Sequence, residues 1–128
     1  MIFMEKDIIT IPVEMPLFVW GQKVDYISVR TDDPTKEDDD DFWQNDFRKH
    51  LANAVKILGE SAKYESLLTA VAVDDEDIAI DYLSSVTVNF VGGKVWYDYI
   101  FEAGKLLGNF DVHLRSDPNG EMEFVEMT

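Results

Sequence analysis

The residues of this sequence that are best suited to chemistry are its carboxylates, which are concentrated in two short clusters. The first cluster is residues 38–41, and the second consists of Asp74, Asp75, Glu76 and Asp77. Carboxylate oxygens are the ligands that Mg²⁺ and Ca²⁺ prefer, but neither cluster has the Asp-x-Asp-x-Asp-Gly spacing and distal Glu of a calcium loop. We therefore interpret the first cluster as the start of a helix and the second as a solvated turn.

Two histidines complete the set of residues able to bind a metal ion or transfer a proton. His50 and His113 could hold a metal together with some carboxylates, although nothing in their spacing favours this. The chain has no cysteine, no Gly-Lys-Ser/Thr phosphate loop and no Gly-x-Ser-x-Gly nucleophile elbow. We therefore predict no catalytic residue, no cofactor and no metal site. A small metal-dependent hydrolase or metal-binding domain that uses the carboxylate clusters is the alternative.

The net charge limits the kinds of partner that the chain can have. Asp and Glu number 26 against 11 Lys and Arg, which gives a formal net charge of −15. A field of this sign repels phosphate backbones and anionic membrane surfaces, and it accelerates encounter with a basic protein. We expect a basic protein partner, no direct nucleic-acid binding and no membrane association. An acidic surface also keeps a protein soluble, so charge alone does not establish a partner.

Length and composition indicate one globular unit. A chain of 128 residues with 46% hydrophobic content can bury a core without disulfides, and we expect residues 1–128 to form a single domain. The first residues lack the basic and apolar regions of a signal peptide, and no apolar run approaches the roughly 20 residues of a membrane span. These features predict a cytoplasmic protein.

The element around which the chain is organised is a predicted amphipathic helix at about residues 41–58. Its apolar residues recur at helical spacing and share one stripe: Trp43, Phe47, Leu51, Val55 and Leu58. The acidic residues 38–41 favour the positive end of the helix dipole, and Gly59 suits the position after the last turn. The stripe should pack against a sheet.

A β-hairpin centred on Gly92-Gly93 provides the candidate binding residues. A two-residue turn there pairs Phe90 with Val95, Val88 with Tyr97 and Val86 with Tyr99, all on one face. Trp96 and Asp98 then lie on the opposite face, where an aromatic residue is harder to explain as core. We predict Trp96 as the partner anchor, with Asp98 beside it and residues 74–77 as the nearest acidic cluster. The alternative for Trp96 is burial beneath another element.

Other segments with β character complete the predicted sheet. Residues 8–13 contain Pro12, which places them at an edge or a strand end, and residues 67–73 suit a central strand. Residues 110–114 and 122–124 flank a turn and form a second hairpin. The predicted fold is α+β, with a mainly antiparallel sheet of about five or six strands and the long helix packed on one face.

The order of these features resembles a known class of bacterial proteins. An acidic loop, Phe42-Trp43 at the start of a helix, Leu67-Leu-Thr and Lys94-Val-Trp-Tyr97 together resemble the small acidic cytosolic immunity proteins of contact-dependent inhibition systems. The resemblance spans residues 42–101. It implies a non-catalytic module that neutralises a basic toxin, frequently a nuclease, by occluding it. A general interaction domain with no toxin partner is a further alternative.

Overall fold

A computed structural model describes residues 8–19, 22–59, 80–103 and 110–128. These residues form an α+β fold with a six-stranded sheet, a two-stranded sheet and one long helix. The strands are β1 (Ile9–Val13), β2 (Phe18–Val19), β3 (Gln22–Lys23), β4 (Tyr26–Thr31), β5 (Ile80–Val91), β6 (Lys94–Ala103), β7 (Phe110–Ser116) and β8 (Met122–Met127). The helical segments are a 3₁₀ helix (Pro34–Asp38), a π-helical segment (Phe42–Phe47) and α1 (Arg48–Gly59).

The large sheet is mixed, and its strand order is β1-β4-β5-β6-β7-β8. All neighbouring pairs are antiparallel except β4 and β5, which are parallel. The predicted mainly antiparallel sheet is therefore confirmed, but the parallel pair was not predicted. It arises because the long helix lies between β4 and β5 in the chain, and a crossover of this length lets the second strand run in the same direction as the first. Pro12 lies in edge strand β1, as its missing N–H required.

The long helix begins with a wide turn that changes which aromatic residue is buried. The Asp39 carboxylate accepts a hydrogen bond from the N–H of Phe42 at 3.2 Å, so the acidic cluster does serve the helix start. The π-helical hydrogen bonds widen the next turn, and the two aromatic residues that it buries, Phe42 and Phe47, are five positions apart. Trp43, which a regular helical period assigns to the stripe, is only partly buried.

The rest of the predicted stripe packs on the sheet. Phe47, Leu51, Ala54 and Leu58 are buried, and Val55 is partly buried. The contact with the sheet also includes a hydrogen bond, since the Tyr99 hydroxyl donates to the carbonyl of Ala54 at 2.9 Å. The helix therefore lies on the sheet face that carries the buried side chains of β5 and β6.

The β5–β6 hairpin has the predicted register. Phe90 pairs with Val95, and Gly92 and Gly93 both have positive φ angles of 61° and 73°, as a type I′ turn requires. Asn89 lies opposite Trp96 across the strands. Since Tyr97, Tyr99 and Phe101 are buried on the helix side, Trp96 and Asp98 lie on the opposite side, which we call the distal face.

Two sequence predictions fall outside the described residues: the strand at residues 67–73 and the acidic cluster at residues 74–77. Residues 80–83 belong to the first part of β5. Within the part of the chain that the structure describes, no helix is long and apolar enough to cross a bilayer.

Candidate functional site

A buried carboxylate, that of Asp98, lies at the centre of the distal face. Only 7% of the residue is exposed. Its Oδ2 accepts hydrogen bonds from Nδ2 of Asn89 at 2.8 Å and from Nε1 of Trp96 at 3.2 Å. Its Oδ1 lies 2.8 Å from Nε2 of His113 and 2.8 Å from Nε of Arg115. Three neighbouring strands, β5, β6 and β7, thus contribute donors to one side chain.

This arrangement keeps Asp98 ionised and saturates it. Burial alone would raise the pKa of Asp98, but the hydrogen bonds from Arg115 and His113, together with the charge of Arg115, outweigh burial and hold the pKa below its ordinary value. An ionised carboxylate has about four lone-pair sites, and four donors already occupy them here. The four hydrogen bonds of Asp98 therefore occupy these sites, and they fix the positions of its neighbours.

Trp96 is one of the residues that Asp98 positions. The indole is half-buried, its N–H is bonded to Asp98, and the guanidinium carbon of Arg115 lies 5.8 Å from the ring centroid. A cation over an indole face is a favourable contact. The ring is therefore held in one orientation on the distal face without being enclosed. Its contact with a partner is still a prediction.

The polar network continues across the sheet to β4. Nη1 of Arg30 donates to Oδ1 of Asn89 at 3.3 Å, so a chain of hydrogen bonds joins Arg30 to Asp98. Beside it, the hydroxyls of Ser28 and Thr87 are hydrogen-bonded at 2.9 Å. Four strands, β4 to β7, therefore share one connected set of polar side chains on this face.

The opposite end of the distal face is acidic. Glu102 and Asp111 are directly opposite each other on β6 and β7, and their register places them on the same face as Asp98. Neither side chain makes a hydrogen bond or ion pair with the described residues. Glu126 is exposed and lies opposite His113. Like charges directly opposite each other destabilise a sheet, so we expect the Glu102–Asp111 pair to reduce the stability of the fold.

The second histidine has a structural role on the helix side. Nδ1 of His50 lies 2.7 Å from the Tyr97 hydroxyl, which also accepts a hydrogen bond from Asn53 at 3.0 Å. Asn53 donates to the carbonyl of Pro118 at 2.8 Å as well. Burial lowers the pKa of His50, and the charge of Lys49 adds to this while Asp46 opposes it. A neutral His50 can accept a hydrogen bond from the Tyr97 hydroxyl, and the contact holds the helix on the sheet.

The two histidines thus lie on opposite faces of the sheet and cannot share a metal ion. Among the described residues, no group of three His, Asp or Glu side chains converges on a possible metal position. A cavity of about 700 Å³ lies between the helix and residues 13–17, and Trp43 and Phe47 line it. None of the distal-face residues contributes to that cavity.

The structure brings together only some of the predicted site residues. Trp96 and Asp98 are in contact, whereas Asp74, Asp75, Glu76 and Asp77 lie outside the described residues. Sequence reasoning did not assign two sets of residues on this face to the binding site, one around Asp98 and one at the acidic end. They are Arg30, Asn89, His113 and Arg115, and Glu102, Asp111 and Glu126. Alternation places each on a face, but no signal in the sequence states that β7 is the neighbour of β6.

Comparisons of the chain with protein-family models, with curated proteins and with solved structures give no match. A function for this chain has therefore to be argued from its own residues.

Proposed function

We propose that this chain is a non-catalytic protein-binding module that holds a basic partner on its distal face. The observation that carries the proposal is the pair of Glu102 and Asp111, whose opposed carboxylates have no neutralising partner among the described residues. A partner with lysine or arginine at this position would relieve the repulsion between them. The rest of the acidic chain would attract the same partner from a distance.

The aromatic centre of the distal face supplies the binding energy in this proposal. Trp96 is held by Asp98 and Arg115, so little conformational freedom is lost when a partner covers it. Tryptophan and arginine are the residue types that most often dominate interface energies, whereas exposed charges act mainly on the association rate. Residues 74–77 are proposed to contribute to that long-range attraction.

The biological role that fits this binding mode best is immunity against a toxin. A basic toxin, for example a nuclease, would be neutralised because the acidic protein covers the surface that it uses for its substrate. The resemblance of residues 42–101 to immunity proteins of contact-dependent inhibition supports this role, and a cytoplasmic location belongs to the same proposal. Asp98, whose acceptors are all used, lends no support to the alternative of a metal-dependent hydrolase.

The proposal is tested by comparative capture from cells that produce the protein. Three baits are used: the wild type, Trp96→Ala, and Phe18→Ala as a control, since Phe18 is 61% exposed and lies outside the large sheet. We expect mass spectrometry to identify a basic protein that the wild type and the control retain and that Trp96→Ala loses. A captured protein that is acidic, or that Trp96→Ala retains equally, would contradict the proposal. A basic partner with no toxic activity would favour the general interaction domain instead.

A further inference from the structure

The distal face carries two of the three arginines in the chain, one on each side of Asp98. Arg30 reaches Asp98 through Asn89, and Arg115 is bonded to it directly. The connected network therefore holds two guanidinium groups against one carboxylate. This surplus of positive charge stands in a chain whose net charge is −15.

Arg115 has a fixed orientation and unused donors. Its Nε donates a hydrogen bond to Asp98, and the Trp96 ring lies beside its guanidinium carbon, so two contacts restrict the position of the group. Its side chain is 35% exposed, and its two Nη atoms make no hydrogen bond with the described residues. A guanidinium of fixed orientation with free N–H donors matches the geometry of a carboxylate, which can accept two parallel hydrogen bonds from it.

We infer that Arg115, held by Asp98 and Trp96, is a binding subsite for a carboxylate. The inference rests on the proposed function, because a partner protein would supply the carboxylate as an Asp or Glu side chain or as a chain terminus. A phosphate would offer similar geometry, but the acidic chain around the site disfavours a dianion more strongly than a single carboxylate.

With this subsite, the distal face has two poles that bind opposite charges: Arg115 binds a carboxylate, and the acidic end binds basic side chains. Arg115 lies opposite Asp98, and Glu102 lies four residues further along β6, about 13 Å away at the rise of a β-strand. A partner that fits both poles presents a carboxylate at one end and basic side chains at the other. Such a pattern would select one orientation of the partner, which a uniformly acidic surface cannot do.

One neighbouring residue opposes the subsite and provides a sharp control. Glu123 is exposed and lies directly opposite Arg115 on β8. The described ion pair of Arg115 is with Asp98. Glu123 would therefore repel an incoming carboxylate, and Glu123→Gln should strengthen binding, whereas the same substitution should weaken long-range attraction of a basic partner.

The test uses the full chain, nuclear magnetic resonance and small carboxylates, and it needs no partner protein. The Nε–H signal of Arg115 and the indole N–H signal of Trp96 are followed during titration with N-acetylglutamic acid α-amide, which offers a side-chain carboxylate. N-acetylglycylalanine, which offers a terminal carboxylate, is titrated in parallel. Sodium chloride at equal ionic strength is the control. We expect saturable shifts of both signals with at least one carboxylate, and the tighter of the two identifies the source.

Four variants decide whether Arg115 is responsible. Arg115→Gln should weaken binding at least about tenfold, as loss of a charge-assisted hydrogen bond implies. Arg115→Lys should also weaken it, because the fork is lost while the charge stays. Arg48→Gln should leave it unchanged, and Glu123→Gln should tighten it several-fold. Backbone amide spectra verify that each variant is folded.

Shifts that match those with chloride, or full binding by Arg115→Gln, would overturn the inference. Full binding by Arg115→Lys would overturn the claim that the guanidinium donates two parallel hydrogen bonds to the carboxylate. Capture of a basic partner through Trp96 would stand in each of these cases, so failure of the subsite and failure of the proposed function are distinguishable.

Discussion

Alternate residues of β6 lie on the two faces of the large sheet, and the two faces differ in what their side chains contact. On the helix side, Tyr97 and Tyr99 of β6 are fully buried, and their hydroxyls are bonded to the helix. On the distal face, Trp96 and Asp98 of the same strand belong to a network that leaves indole and guanidinium surface available. The helix side therefore packs into the core of the fold, whereas the distal face also holds side-chain surface in fixed orientations where a partner can reach it.

The difference lies in what each face leaves unsatisfied. Polar groups on the helix side are matched to partners, as the bonds of Tyr97 to His50 and Asn53 illustrate. The distal face instead retains the opposed carboxylates of Glu102 and Asp111. Substitutions on the helix side should reduce stability and spare binding, and substitutions at the exposed groups of the distal face should do the reverse.

The largest effect is expected on the helix side. Leu51 is buried against the sheet, so Leu51→Ala should reduce the free energy of unfolding by about 2–5 kcal/mol. Chemical denaturation measures this change, and Trp96→Ala, which removes a half-buried residue from the distal face, is the comparison. Equal losses of stability from the two variants would remove the distinction between the faces.

The β5–β6 hairpin contributes side chains to both faces, and its stability should be sensitive to substitutions in the turn. Gly92 and Gly93 have positive φ angles, and a Cβ atom added at either position would meet nothing within 4 Å, so backbone strain alone opposes a side chain there. Replacing both with Val should cost about 2–4 kcal/mol at roughly 1–2 kcal/mol for each residue. Amide spectra should also report a disturbed register between β5 and β6. A stable variant with an unchanged spectrum would contradict the turn assignment.

The sequence predicted correctly those features that depend only on strand alternation and on the Gly92-Gly93 turn. Alternation around the two glycines was sufficient to place Trp96 and Asp98 on the distal face. It could not place Arg115 beside Asp98, because the pairing of β6 with β7 depends on the whole sheet. The sequence also could not predict that Phe42 is buried in place of Trp43, because the wide first turn departs from the regular helical period.

The positioning role of Asp98 predicts an intermediate effect and a specific pH dependence. Asp98→Asn should cost about 1–3 kcal/mol, because the donors of His113 and Arg115 lose a charged acceptor. The pKa of Asp98 is held below its ordinary value, so its contribution to stability is present above pH 3.8 and is lost as pH falls through the lowered value. Acid unfolding of the wild type and Asp98→Asn should therefore converge at low pH. A constant difference would contradict this account.

The helix side should show a smaller pH effect in a different range. Because the pKa of His50 is lowered, the unfolded chain takes up a proton first as the solution is acidified. Stability from this residue is present above pH 6.5 and falls as pH is lowered from there through the folded pKa. His50→Gln should remove that part of the pH dependence and leave the acid transition of Asp98 in place. Unfolding curves recorded at about half-unit steps between about pH 7.5 and pH 5 measure this change in stability.

The smallest stability change tests the functional contrast most directly, because stability and binding should move in opposite directions. Glu102→Gln with Asp111→Asn removes a repulsion and should stabilise the chain by about 0.2–1 kcal/mol. The control is Glu37→Gln with Asp38→Asn, which changes the net charge equally at exposed positions in the 3₁₀ helix. The measurement is the association rate with the captured partner at several ionic strengths. We expect the distal-face variant to associate more slowly, and with weaker salt dependence, than the control. Equal rates for the two variants, together with a distal-face variant that is no more stable than the wild type, would contradict the assignment of binding to this face.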